Sequence, residues 1–287
     1  MKHHFGDFLF REDNYWSIIP NRDRYKYYLI DEIRDKNSVK IITIGKDSIS
    51  WKQISDFPNL EELTLHEPTK EQIEYIRNLQ CLKRLRITHA RPKNIDFISN
   101  LLNLEEIVFE YVSGFSDLSP LKNLKKLKSL HFENLRKVSD FSGLNDIESL
   151  KYIRIDGTLD WNQPIDDFEF IKHLPNLEIL SLGGINNKTE YPVFLPLLKS
   201  EKLKKILVMN NSFQTKEYAF LEILLPNVEG SKNELFHHYN GWIEFLGKKA
   251  GMFKETNPNI IDKCAEFKKL YDSFKIEAKD FLKNYFK

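Results

Sequence analysis

The sequence predicts an α/β solenoid, with a curved parallel sheet on its concave face and short helices or turns on its convex face. Three observations predict it. A phrase of leucine, two variable residues, leucine or isoleucine, one variable residue and an apolar residue occurs seven times. Its starts are regularly spaced, and a second apolar series at helical spacing lies between successive phrases.

The phrases begin at Leu60, Leu82, Leu104, Leu127, Leu150, Leu177 and Leu203, at intervals of 22, 22, 23, 23, 27 and 26 residues. An incomplete eighth start falls at Pro226-Asn227-Val228. Each phrase reads as a strand, because side chains alternate between the two faces: Leu63 and Leu65 turn inward, whereas Glu62, Thr64 and His66 turn outward. Between phrases, Ile73, Ile76 and Leu79 in one repeat and Leu118, Leu121 and Leu124 in another recur at helical steps. A single repeat cannot bury its apolar face alone, so the repeats must stack.

The turn Phe115-Ser116-Asp117-Leu118-Ser119-Pro120-Leu121-Lys122-Asn123-Leu124 resembles those of bacterial internalins and other short members of the leucine-rich-repeat superfamily. The resemblance covers about residues 39–228. It implies a bacterial recognition protein with an exposed concave face. The chain departs from the pattern in one respect. The asparagine expected three positions after the strand phrase occurs only as Asn211, with Pro68, Ala90, Val112, Leu135, Thr158 and Ile185 in the equivalent places. Less regular strand exits are expected.

Solenoid ends need caps. Residues 1–57 are assigned to an N-terminal cap, in which Val39, Ile41, Ile42 and Ile44 form a strand and Tyr25, Tyr27 and Tyr28 supply bulk over the core. Residues 58–229 form the repeats, and residues 230–287 a C-terminal cap. That cap contains a short strand at Trp242–Leu246 and an amphipathic helix. Asn257 is the expected N-cap, Pro258 the first helical residue, and Ile261, Cys264, Phe267, Tyr271 and Phe274 the buried stripe, continued by Ala278, Phe281, Leu282 and Tyr285.

Composition narrows the function. Lys and Arg total 43 against 42 Asp and Glu, a net charge of +1, so the basic excess of a dedicated nucleic-acid binder is lacking. Every apolar window is interrupted by charge, which argues against a membrane span. The N-terminus meets polar residues before any signal-like core, and the two cysteines, Cys81 and Cys264, suggest reduced thiols and a cytoplasmic location.

Candidate chemistry is thin. Gly241 to Lys249 has five residues between its glycines, then Lys-Lys, where a phosphate loop needs four and then Lys-Ser/Thr. His3-His4 and His237-His238 are adjacent pairs and lack metal-ligand spacing. No metal, cofactor or catalytic residue is assigned. The competing reading is an effector or regulatory enzyme with a C-terminal element around Cys264, although that residue lies on the apolar stripe, where thiols are inert.

Aligning the phrases places the outward side chains in three columns. One reads Thr64, Arg86, Val108, His131, Arg154, Ser181, Leu207; the next His66, Thr88, Glu110, Glu133, Asp156, Gly183, Met209; the third Glu62, Arg84, Glu106, Ser129, Tyr152, Ile179, Lys205. Glu110, Glu133 and Asp156 stack as like charges, either answered by a partner or neutralised by Arg86, His131 and Arg154. Tyr111 and Tyr152 are expected aromatic anchors, and Ile179, Leu207 and Met209 an apolar end. The expected partner-binding set is Arg84, Arg86, Glu110, Tyr111, His131, Glu133, Tyr152, Arg154, Asp156, Ile179, Leu207 and Met209. The mixed charges disfavour a phosphate-tracking groove, so the expected partner is a protein, without nucleic acid or membrane.

Overall fold

A computed structural model describes residues 33–287. Tyr25, Tyr27 and Tyr28, expected over the N-terminal end of the core, lie outside these residues. The strands are β1 (Ile41–Gly45), β2 (Glu62–His66), β3 (Arg84–Ala90), β4 (Glu106–Val112), β5 (Ser129–Glu133) and β6 (Tyr152–Asp156). There follow β7 (Gln163–Ile165), β8 (Ile179–Gly183), β9 (Ile185–Asn187) and β10 (Lys205–Val208). Eight of them form one parallel sheet in the order β1-β2-β3-β4-β5-β6-β8-β10, while β7 and β9 pair separately. The strand expected from Val39, Ile41, Ile42 and Ile44 is β1, which starts at Ile41 and is part of the main sheet, paired in register with β2.

The inter-strand register reproduces the three columns: Thr64 opposes Arg86, then Val108, His131, Arg154, Ser181 and Leu207. This follows from the repeat itself. The inward positions Leu63, Leu85, Ile107, Leu130, Ile153, Leu180 and Ile206 are all buried, and a slip of one residue would turn them into solvent. Phe109 stacks on Phe132 at 6.0 Å, and Phe168, Phe194 and Phe213 form the aromatic end of the same core.

The convex elements are mostly single 3-10 turns. The helical spacing foreseen between phrases becomes the α-helix α1 (Lys70–Tyr75) in one repeat, continued by a 3-10 turn over Ile76–Asn78. Other repeats carry 3-10 turns at Asp96–Ile98, Ser119–Asn123, Ser142–Leu144, Glu169–His173 and Leu195–Lys199. Repeat length does not decide which form appears, since α1 lies in a repeat of 22 residues and the repeats of 27 and 26 residues carry 3-10 turns. Asx side chains start several of these turns: Asp117 accepts from Ser119 N–H at 2.7 Å, Asp140 from Ser142 at 2.8 Å and Asp167 from Glu169 at 2.9 Å. α1 has its own device, a capping box in which Gln72 N–H donates to Thr69 Oγ1 and Thr69 N–H to Gln72 Oε1.

Asparagines link repeats at the start of the strand rather than at its exit. Asn59, Asn103 and Asn176 donate to the carbonyls of Asn37, Gln80 and Glu148 in the preceding repeats at 2.8, 3.0 and 2.7 Å. At the exit the ladder is apolar: Ala90, Val112, Leu135 and Ile185 are buried. Gln163, fully buried, accepts from Leu135 N–H and donates to Val138 O. The exits share one conformation in the first four repeats but not throughout, since Gly157 and Asn210 at the equivalent places do not have a positive φ. Glu67, His89, Tyr111 and Asn134 each take a left-handed conformation, with φ of 47°, 55°, 55° and 58°.

Past the repeats, Glu229 bridges Lys205 and so borders the outermost strand, which is as far as the incomplete eighth start goes. The helix α2 (Thr215–Leu224) precedes an antiparallel sheet of β11 (Phe236–Tyr239), β12 (Trp242–Phe245) and β13 (Met252–Lys254). The last element, α3 (Ile260–Tyr285), packs on α2 through Phe220 against Phe281 and through Glu222, which accepts from Tyr271 Oη at 2.9 Å and Lys275 at 2.8 Å. Its N-cap is Asn259, two residues beyond the expected Asn257, whose side chain instead accepts from Asn259 N–H. The buried stripe is Phe267, Tyr271 and Ala278, whereas Ile261 and Tyr285 point to solvent. The later start puts Ile260, not Ile261, on the packed face.

Candidate protein interface

The concave columns do not project freely into solvent as the sequence reading expected. Arg86, Glu110, His131, Asp156 and Ile179 are buried. Arg86 Nε and Nη2 hold Glu110 Oε2 at 2.7 and 2.6 Å. Arg154 pairs with Asp156 two residues along its own strand, and Arg84 Nε meets Glu62 Oε2 at 3.0 Å. These charges lie along the sheet, paired with one another.

Of the three stacked carboxylates, Glu110 and Asp156 each form an ion pair with an arginine, whereas Glu133 forms none among the described residues and is only partly offset by the charge of Arg154. His131 does not supply the missing charge, because burial pushes its imidazole below the ordinary range and keeps it neutral. Its Nε2 is 3.5 Å from Asp156 Oδ2. Glu133 is half-buried, and burial, then Glu110 and Asp156, push its carboxyl up. The charge of Arg154 and the phenol of Tyr111 act in the opposite direction and offset part of that rise. Tyr152, on the third column, also has its phenol pushed up, first by burial and then by Glu178.

The expected residues gather in two places. Arg154, Asp156, Leu207 and Met209 border a hollow of about 380 Å³ at the C-terminal end of the concave face, with Met209 exposed. Its floor is close: a Cβ at Gly183 would stand 2.4 Å from Asp156 Oδ1. Tyr111 borders a second hollow, of about 250 Å³, with His89, Arg91, Ser113, Asn134 and Arg136. The other expected residues, Arg84, Arg86, Glu110, His131, Glu133, Tyr152 and Ile179, line neither and lie along the sheet.

The column alignment missed the second hollow because it ended with the repeated phrase, at Thr88 and Glu110, whereas β3 and β4 run on to Ala90 and Val112. His89, Tyr111 and Asn134 are equivalent exit residues, and Arg91, Ser113 and Arg136 each lie two positions further on. Extending the alignment three residues would have aligned both rows. The left-handed exit turns set these side chains along the rim, so that His89 and Tyr111 stack at 4.8 Å and an interplanar angle of 3°. That distance matches the spacing of neighbouring strands, about 4.8 Å.

Among the described residues, no group of three or more His, Cys, Asp or Glu could hold a metal ion, and no helix is long and apolar enough to cross a membrane. Cys81 and Cys264 are free thiols, and burial pushes the Cys264 thiol up, away from the reactive thiolate.

Eight parallel strands in continuous register, each followed by a short convex turn, define a leucine-rich-repeat solenoid. No family model matches the chain, and no curated protein does. Solved structures do. An internalin (inlF) from Listeria monocytogenes is 25% identical over 59% of this chain and 46% of its own, with a TM-score of 0.44. Internalin C2 from the same organism is 22% identical over 60% of this chain and 69% of its own, with a TM-score of 0.43. A complex of TLR13 with ssRNA13 gives 17% identity over 60% and 30%, with a TM-score of 0.43. The chain thus spans less than half of the first of these proteins.

Proposed function

We propose that this chain is a non-enzymatic recognition module that takes a protein partner on its concave face, with Glu133 at the centre of the contact. The observation that carries this reading is the uneven pairing of the acidic column. Glu110 and Asp156 are each in an ion pair with an arginine, and Glu133 between them faces two like charges that Arg154 and the Tyr111 hydroxyl offset only in part, so its carboxyl is still pushed up. A lysine or arginine brought by a partner would relieve that repulsion, which suits a basic residue set in a polar rim. Tyr111 beside it and Met209 at the C-terminal hollow offer exposed aromatic and apolar area. Cys264 supports no second reading, since its environment lowers thiolate content.

The test has two stages. Cross-linked capture from the native cell with mass spectrometry names the partner, and calorimetry with the purified pair then compares wild type with Glu133→Lys. At least a tenfold loss of affinity with a melting temperature no lower than that of the wild type is expected; equal affinity would overturn the placement. Glu110 and Asp156 are unsuitable for this test, because reversing a buried, arginine-paired carboxylate would disturb the fold itself.

A narrower form of the proposal is that the partner is a toxin or effector that the solenoid neutralises. It requires inhibition at the same stoichiometry as binding, which a titration of the partner's activity would measure. We place the encounter in the cytoplasm, a placement supported by the two free thiols.

A further inference from the structure

The rim hollow is basic, aromatic and unused by the fold. Its lining contains two arginines and no carboxylate. Arg91 is exposed and its guanidinium makes no ion pair among the described residues. Arg136 is likewise exposed; its Nε donates to Asn134 Oδ1 at 3.3 Å, and its guanidinium carbon lies 6.0 Å from the Trp161 ring centre, which leaves its outer nitrogens for another acceptor. Elsewhere on the sheet the arginines are committed: Arg84 to Glu62, Arg86 to Glu110 and Arg154 to Asp156. Tyr111 forms the third side. One face of its ring is covered by His89.

We propose that this hollow receives a carboxylate side chain from an acidic segment of a protein partner, clamped by Arg91 and Arg136 beside the Tyr111 ring. The proposal rests on the recognition reading above and adds the partner's chemistry. The planar fork of arginine matches a carboxylate in two parallel hydrogen bonds, and two forks across a small hollow favour one compact anion. A nucleic-acid backbone suits the site less well. It would need a basic track leading away from the hollow, and the column next to Tyr111 is the acidic row Glu110, Glu133 and Asp156. The partner surface would then alternate in sign, basic opposite Glu133 and acidic opposite Arg91 and Arg136, with Tyr111 touching both.

Fluorescence anisotropy with a fluorescein-labelled tetraglutamate peptide tests this on the full chain. Saturable binding is expected, weakened at least tenfold in Arg91→Gln/Arg136→Gln and unchanged in Arg77→Gln, an exposed arginine paired with Glu74 elsewhere. Both rim arginines are exposed, so the double variant should melt with the wild type. No saturable binding, equal binding of a tetraglutamine peptide, or equal binding by the double variant would overturn the proposal. So would a uridine dodecamer that binds more tightly than the peptide and is sensitive to the same two substitutions. Because the probe contains no base, failure here leaves the Glu133 test untouched, and failure of Glu133→Lys leaves this one untouched.

Discussion

Tyr111, near the end of β4, and Glu133, at the end of the adjacent β5, perturb one another: the carboxylate pushes the phenol's pKa up and the phenol pulls the carboxyl's down. Burial and the two neighbouring acids push the Glu133 carboxyl up by more than Arg154 and the Tyr111 phenol pull it down. Removing the hydroxyl in Tyr111→Phe is expected to raise that pKa further, which a carboxyl-carbon NMR titration would follow. A raised folded-state pKa gives stability that is fully present below the unfolded-state value and is lost as pH rises through the folded one. Glu133→Gln is therefore expected to melt higher than wild type near pH 7, by about 1 °C for a half-exposed group in a domain of this size. The gain should vanish in acid. The same variant should bind a basic partner more weakly, so stability and recognition would move in opposite directions.

The sheet was legible from the repeat because its register follows from one period, carried by Leu60, Leu82 and their successors, and burial enforces it. The site was legible only in part. Column alignment put Glu110, Glu133 and Asp156 side by side correctly, yet it could not show that Arg86 and Arg154 reach two of them and that His131 is neutral. Those outcomes depend on rotamers and burial, which have no period. The rim hollow escaped for another reason. His89 and Tyr111 occupy left-handed positions outside the strand phrase, where glycine or asparagine would be the usual signal.

Arg86 and Glu110 provide a direct measure of how far the concave face is structural. Both side chains are about nine-tenths buried, at 7% and 12% exposure. Arg86→Ala leaves a buried carboxylate without its partner and is expected to cost about 3–5 kcal/mol in urea unfolding. The double variant Arg86→Met/Glu110→Leu should recover most of that loss, since neither charge is then stranded. A double variant as unstable as the single one would mean that the arginine stem, and not the pair, supports the sheet.

Gly143 lies where two convex turns meet. A Cβ there would stand 2.6 Å from the backbone carbon of Leu118 and 2.8 Å from the nitrogen of Ser119, so the contact is with main chain that cannot rotate away. Gly143→Ala is expected to destabilise by about 1–3 kcal/mol, as overpacking does. Gly241, with nothing within 4 Å of its Cβ position, is the comparison for space alone, although its φ of 76° adds backbone strain. Thermal melts of the two variants should rank Gly143→Ala below Gly241→Ala.

Glu217 gives the fold a pH dependence close to neutrality. In the first turn of α2 its carboxylate accepts from Val193 N–H at 3.0 Å, a bond that ties the last convex turn to the helix. Burial pushes its pKa up to about 7, outweighing that bond and the nearby Lys216. The shift is upward from an ordinary value of 4.5, so the stability linked to Glu217 is fully present below about pH 4.5 and is lost as pH rises through about 7. Melting temperature is accordingly expected to fall between pH 6 and pH 8 by more in the wild type than in Glu217→Gln. The amide keeps an acceptor for Val193 and removes the charge that burial penalises. Parallel melting curves for the two proteins across that interval would show that the carboxyl group stays ionised and finds its compensation in the bond to Val193.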